Sequence, residues 1–171
     1  TSEQIDFGAD FRFLNDRLTV GLDYYIKTTK DLLVPAPAMP ESGVSQITLN
    51  AGEIKNSGLE VELTWKDNIG DFNYSVSANL ATLKNEVTYL DPSIERIQGA
   101  GVDGSSPETI FCNFEEGMPV WYMRGYKYAG RADDGSPLYY DANGELTNDP
   151  QEGDMTNIGS GLPSLTYGIT L

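Results

Sequence analysis

Apolar and polar residues alternate with a period of two in five stretches of this chain. That is the period of a β-strand, whose successive side chains point to opposite faces. Ile5, Phe7, Ala9, Phe11 and Phe13 form an apolar face against Gln4, Asp6, Gly8, Asp10 and Arg12, which predicts a strand over 3–13. Leu18, Val20, Leu22, Tyr24 and Ile26 oppose Thr19, Gly21, Asp23, Tyr25 and Lys27 in the same way over 17–28. Leu59, Val61, Leu63 and Trp65 alternate with Glu60, Glu62 and Thr64 over 58–66. Phe72, Tyr74, Val76, Ala78 and Leu80 alternate with Asn73, Ser75, Ser77 and Asn79 in a strand reaching about Lys84. The last stretch, 163–171, sets Leu165, Tyr167, Ile169 and Leu171 against Thr166, Gly168 and Thr170.

Connections between these strands alternate short and long. Asn15-Asp16 and the five residues Asp67-Asn68-Ile69-Gly70-Asp71 carry hairpin-turn chemistry. Residues 29–57 and 85–162 are long loops, and Pro35-Ala36-Pro37 with Pro40 rule out a central strand in the first of them. Short turns therefore gather on one side of the sheet and long loops on the other. An outer-membrane barrel has this asymmetry, with short periplasmic turns and long extracellular loops. Trp65 and Phe72 flank a turn at the same height, the placement of an interfacial aromatic girdle. Asp6, Asp10, Arg12, Asp23, Lys27, Glu60 and Glu62 on the polar face suit a wet lumen. The expected fold class is all-β: an incomplete antiparallel transmembrane β-barrel segment of about five strands. The rival is a soluble secreted glycan-binding β-sandwich, in which the same apolar residues form a core and Trp65 meets Phe72 across strands.

Composition narrows the function. No apolar run approaches the ~20 residues of a membrane-spanning helix. The net charge of -15 makes nucleic acid a poor partner, and the lack of histidine removes imidazole catalysis and ligation. Cys112 is the single cysteine, so the chain forms no internal disulfide. Residues 86–162 hold fourteen Asp or Glu against four Lys or Arg, so the acidic mass sits in the long second loop, where it serves solubility. The chain starts inside one alternating pattern and stops inside another, which reads as an internal piece of a longer protein.

Three stretches carry a resemblance to a family. Asn50-Ala51-Gly52-Glu53-Ile54-Lys55-Asn56-Ser57-Gly58-Leu59-Glu60 resembles the N-x-G-x-I-x-N-x-G-x-E segment with which TonB-dependent outer-membrane receptors return to the barrel from an extracellular loop. The glycines there permit a sharp turn, the Asn side chains bond local backbone, and Glu60 faces the lumen. Asp23-Tyr24-Tyr25-Ile26-Lys27-Thr28-Thr29-Lys30-Asp31-Leu32-Leu33 is similar to a run typical of the SusC/RagA branch. So, in order, are Glu116-Gly117-Met118-Pro119, Gly125-Tyr126-Lys127, Gly130, Asp134-Gly135, Tyr140-Asp141-Ala142-Asn143-Gly144 and Ile158-Gly159. The resemblance implies the late part of a plugged barrel of roughly 22 strands. It implies import of oligosaccharides, or in some cases peptides, across the bacterial outer membrane. A SusD-like lipoprotein would be hinged over the mouth, and the TonB complex would supply energy through an N-terminal part absent from this sequence. Five strands cannot close such a barrel.

Candidate chemistry lies in the long second loop. Its aromatics, Phe111, Phe114, Trp121, Tyr122, Tyr126, Tyr128, Tyr139 and Tyr140, could stack on sugar rings, form a small core or anchor the lid. Trp121, Tyr122, Tyr126, Tyr139 and Tyr140 are the candidate substrate- or partner-binding residues. Asp141, Asn143, Glu145 and Glu152 follow calcium-loop spacing, but Leu146 stands where that loop needs glycine, and a hairpin turning at Asn143-Gly144 is preferred. Glu115-Glu116 and Asp133-Asp134 are adjacent acids with nothing to place them across a scissile bond, so no catalytic residue and no enzyme activity are assigned.

Overall fold

The computed structural model describes residues 1–37, 43, 46–99 and 112–171, which form two compact units, Thr1–Tyr89 with Leu162–Leu171, and Leu90–Gly161. Among the described residues there are thirteen strands. The first unit is a wall of antiparallel strands: β1 (Ser2–Phe13), β2 (Leu18–Pro37), β3 (Gln46–Ile69), β4 (Phe72–Thr82), β5 (Lys84–Leu90) and the last strand, β13 (Leu165–Thr170). Their order is β1-β2-β3-β4-β13, with β5 also paired to β3.

Register turns the alternation of single strands into two continuous faces. Phe11, Val20, Leu63, Ala78 and Ile169 fall in one row across five strands, and Asp10, Gly21, Glu62, Asn79 and Gly168 in the row beside it. Nothing in this unit covers the apolar face: Phe7 is 66% and Tyr167 74% exposed, and Val87 is its one buried apolar side chain among the described residues. A sandwich needs a second sheet on that face. Among the described residues the wall is a single sheet, with no second sheet on that face.

Several sequence expectations need correction. β2 extends to Pro37 and β3 begins at Gln46, so much of the expected 29–57 loop is a paired hairpin. Pro35 and Pro37 are tolerated because β1 accompanies β2 only as far as the Ser2–Thr29 pair, and beyond it β2 carries one ladder, to β3. Pro40 lies outside the described residues. The turn after β3 has two residues, Gly70-Asp71, closed by the Ile69–Phe72 pair, with Gly70 at φ 64°. Trp65 consequently faces Val76, four residues or about 13 Å from the level of Phe72. Trp65 shares a row with Leu18 and Phe13 instead. The strand expected to reach Lys84 breaks at Leu83, whose N–H bonds Ser164 O at 3.0 Å, and continues as β5.

The second unit contains two small sheets. One has the order β12-β8-β7-β6, from β6 (Ile97–Gln98), β7 (Cys112–Phe114), β8 (Tyr122–Gly125) and β12 (Thr156–Gly159). The other, β11-β10-β9, is built from β9 (Tyr128–Arg131), β10 (Pro137–Tyr140) and β11 (Leu146–Thr147). Leu90, Ile94, Phe114 and Tyr122 are its buried apolar residues. The expected loop 85–162 therefore has a core of its own.

Candidate functional site

The segment 50–60 lies along β3, and the structure gives its residues different work from that expected. Gly58 faces Tyr25 in register, and a Cβ there would run into the Thr82 carbonyl and come within 2.8–2.9 Å of the Tyr25 ring and hydroxyl. Its backbone is not left-handed, so close approach demands this glycine, where a sharp turn was expected. Asn56 Oδ1 accepts a hydrogen bond from Asn85 Nδ2 at 2.7 Å, 29 residues away, and so bonds across strands where local backbone had been expected. Gly52 is buried opposite Leu32, and Asn50 is exposed opposite Leu33. Where β4 ends, the Thr82 hydroxyl accepts from Leu59 N at 2.9 Å and donates to Leu59 O at 3.3 Å. One side chain thus completes the ladder at the break.

On the polar face, Gln4, Asp6, Asp23, Tyr25, Lys27 and Glu60 line a groove of about 380 Å³. Glu60 stands in it as expected of a polar-face residue. Three of the six linings are carboxylates and one is a lysine, so this stretch of wall favours neutral or cationic contacts.

In the second unit the candidate aromatics separate into a core group and a surface group. Tyr122 is 2% exposed, and its hydroxyl donates to Glu115 Oε2. Burial first, and then the bond to the Glu115 carboxylate, push its pKa up to about 12. The side chain is structural and out of reach of a ligand. Trp121 packs on Phe114 with ring centroids 5.8 Å apart. It is 46% exposed and has φ 53°, at the second central position of the turn closed by Tyr122 N and Pro119 O. Gly117, at φ 81°, occupies the same position in the preceding turn, between Glu115 O and Met118 N. Glu116 accepts from Leu90 N at 3.2 Å.

Tyr126 and Tyr128 both meet Tyr139 edge-on, at 6.0 and 6.1 Å. Lys127 Nζ lies 5.5 Å from the centre of the Tyr140 ring. Tyr128 at 57% and Tyr140 at 37% are the more open of this group. A Cβ on Gly125 would lie 2.9 Å from Ile158 Cδ1 of β12, so the isoleucine side chain packs over this glycine. Phe111 lies outside the described residues.

Asp141 turns its carboxylate into its own loop, where Oδ1 accepts from Glu145 N at 2.8 Å and Asn143 N at 2.9 Å. These bonds, led by that of Glu145, hold its pKa below the usual carboxylate range. Asp154 likewise accepts from Ala142 N and Gln151 N. Asn143 and Gly144 form the hairpin turn between β10 and β11, with Gly144 at φ 86° and Tyr140 opposite Leu146. Glu145 and Glu152 are exposed, and among the described residues no cluster of three or more His, Cys, Asp or Glu could hold a metal.

Pattern reading passed over Thr82, and named Tyr25 and Tyr128 without choosing them as site residues. Thr82 and Tyr25 act through partners 23 and 33 residues away, and no local spacing marks them. Glycines on the polar face of otherwise regular strands were the available signal.

Comparison with known proteins places this geometry. The family described as "TonB dependent receptor-like, beta-barrel" matches residues 1–164. TonB-dependent receptor P3 of Formosa agariphila is 29% identical over 188 residues, covering 99% of this chain and 18% of that protein. TonB-dependent receptor SusC of Bacteroides thetaiotaomicron is 38% identical over 86 residues, 48% of this chain and 8% of that protein. Among solved structures, the RagAB peptide transporter superposes with a TM-score of 0.73 at 28% identity, over 98% of this chain and 19% of that one. The chain spans about a fifth of the length of the relatives it matches end to end.

Proposed function

Because the chain belongs to the TonB-dependent receptor β-barrel family, we propose that its first unit is a stretch of barrel wall in a bacterial outer-membrane transporter. The observation that carries this reading is the uncovered apolar face. Its rows run on β2 from Leu18 to Ile26, eight residue steps or about 26 Å along the strand, which is about 20 Å of height at a ~40° tilt. The apolar band of such barrels is about 25 Å tall. In water this face would be a large exposed patch; in lipid it needs no partner.

In this reading the short turns are periplasmic connections and the long ones extracellular. The whole protein imports an oligosaccharide or a peptide, with a SusD-like lipoprotein as lid and TonB as energy source, and does no chemistry on its cargo. The similarity to a structure described as a peptide transporter supports the peptide class; the oligosaccharide class rests on the family resemblance of the motifs. Trp121, Tyr126, Tyr139 and Tyr140 are the residues proposed to meet cargo or lid; Tyr122 leaves that group because it is buried.

Single cysteines at Val61, Leu63 and Val76 test the reading in the full-length protein with Cys112 replaced. A lipid-soluble spin probe or quencher should reach these three sites and spare Glu62 and Ser75. If Val61, Leu63 and Val76 are closed to both lipid and water, the face is a protein core and the wall reading fails.

A further inference from the structure

Alternation with a period of two leaves strand register underdetermined. A slip of one residue sends every apolar side chain to the wrong face, whereas a slip of two restores the pattern unchanged. Something else must select among the even registers.

Hairpin turns set the register near each turn; the glycines of the wall are placed to add to that selection. Gly8, Gly21, Gly58 and Gly168 all lie on the polar face, opposite Asp23, Asp10, Tyr25 and Asn79. In each pair the opposing side chain leans over the glycine. A Cβ on Gly8 would overlap Asp23 Oδ1, and one on Gly168 would lie 3.0 Å from Asn79 Oδ1. On Gly58 it would lie 2.8 Å from the Tyr25 hydroxyl. Gly21 is looser, at 3.5 Å from Asp10 Oδ1.

We propose that these cross-strand pairs, in which a glycine receives the side chain opposite it, lock the even register of the wall. The β1–β2 ladder shows the selectivity. In the observed register Asp10 faces Gly21 and Asp23 faces Gly8. Slipping by two in one direction would set Asp10 against Asp23; in the other it would set Asp6 against Asp23. Either slip puts two carboxylates directly opposite each other, a repulsive arrangement; the second also sets Gly8 against Gly21, while the first exchanges their acids for Tyr25 and Arg12. Between β2 and β3, a slip of two in either direction takes Tyr25 off Gly58 and sets it against Glu60 or Asn56, where a side chain already fills the space its ring requires. The pairs thus combine room with charge, and each acts between directly opposed residues.

The test uses the full-length protein with Cys112 replaced and a short thiol cross-linker. Ala9→Cys with Leu22→Cys reports the observed register, while Phe7→Cys or Phe11→Cys with Leu22→Cys reports the two slips. Gly8→Asp, which opposes two acids, should cut the Ala9–Leu22 cross-link severalfold and raise one of the slipped ones or leave the chain unassembled. The swap Gly8→Asp with Asp23→Gly restores one acid and one glycine in the pair but also lifts the Asp23 repulsion from both slips, so it should recover the native cross-link in part, severalfold above Gly8→Asp alone. Gly21→Ala, where an added methyl meets only ordinary contact, should leave the native cross-link intact. Recovery by the swap supports the lock even if the single variant fails to assemble. A swap no better than Gly8→Asp alone, or native cross-linking in Gly8→Asp, overturns it. Cross-linking depends on strand pairing alone, so these outcomes are separate from the lipid-accessibility result.

Discussion

Thr82→Val probes the point where β4 gives way to β5. Valine nearly matches threonine in shape but lacks the hydroxyl, so Leu59 loses the acceptor of its N–H at 2.9 Å and the donor to its carbonyl at 3.3 Å. Two bonds at ~1 kcal/mol net each come to about 2 kcal/mol, close to a thirtyfold change in the folding equilibrium. If the wall faces lipid, as proposed, no water replaces the hydroxyl and each unsatisfied group costs more, so the expected loss is about 2–4 kcal/mol. Thr82→Ser keeps both bonds and removes one methyl, for a loss of under ~1 kcal/mol. Denaturant unfolding of the full-length protein in lipid vesicles, followed by the heat-dependent gel mobility of the folded barrel, measures both variants. The reasoning is refuted if valine lies within about 0.5 kcal/mol of wild type, below what a single lost bond would cost. Equal destabilisation by serine and valine would assign the effect to packing instead.

Two further predictions concern the second unit. Tyr122→Phe removes a buried bond to a carboxylate and should cost about 2 kcal/mol, read from faster hydrogen exchange at Phe114 and its neighbours. Because the Tyr122 pKa rises from 10.0 to about 12 on folding, its contribution is complete below pH 10 and is lost as pH climbs from 10 to 12. That alkaline slope should vanish in the variant, and its persistence would point to another group. Asp141, with its pKa held down by backbone N–H groups, contributes stability above about pH 3.8 that is lost as pH falls through its lower folded value. Exchange at the Glu145 amide should therefore rise in acid and on Asp141→Ala, while millimolar calcium or a chelator should leave it unchanged. Protection of that amide by calcium would show that the loop binds the metal after all.

The faces of the wall were legible in the chain because alternation is a local property. Ile5 to Phe13, Leu18 to Ile26, Leu59 to Trp65 and Phe72 to Leu80 lie on one side of the sheet, as their spacing alone requires. The division of the long second segment into small sheets was not legible, since strands of two to four residues have too few positions to establish a period. Nor was the fate of the tyrosines. Tyr122 and Tyr126 belong to the same aromatic run, yet one is buried on Glu115 and the other leans on Tyr139 near the surface.

What the sequence determined by itself is which residues share a face, the all-β class and, through its motifs, the family. Only the tertiary structure decided the length of the β2–β3 hairpin, the level of Trp65, the Leu83 break with Thr82 as its bridge, and the burial of Tyr122. The reason is the range of the interactions. Face membership follows from backbone geometry between neighbours, whereas the Thr82–Leu59 bonds and the Tyr25–Gly58 contact join residues 23 and 33 positions apart. Such contacts exist only once the strands are side by side.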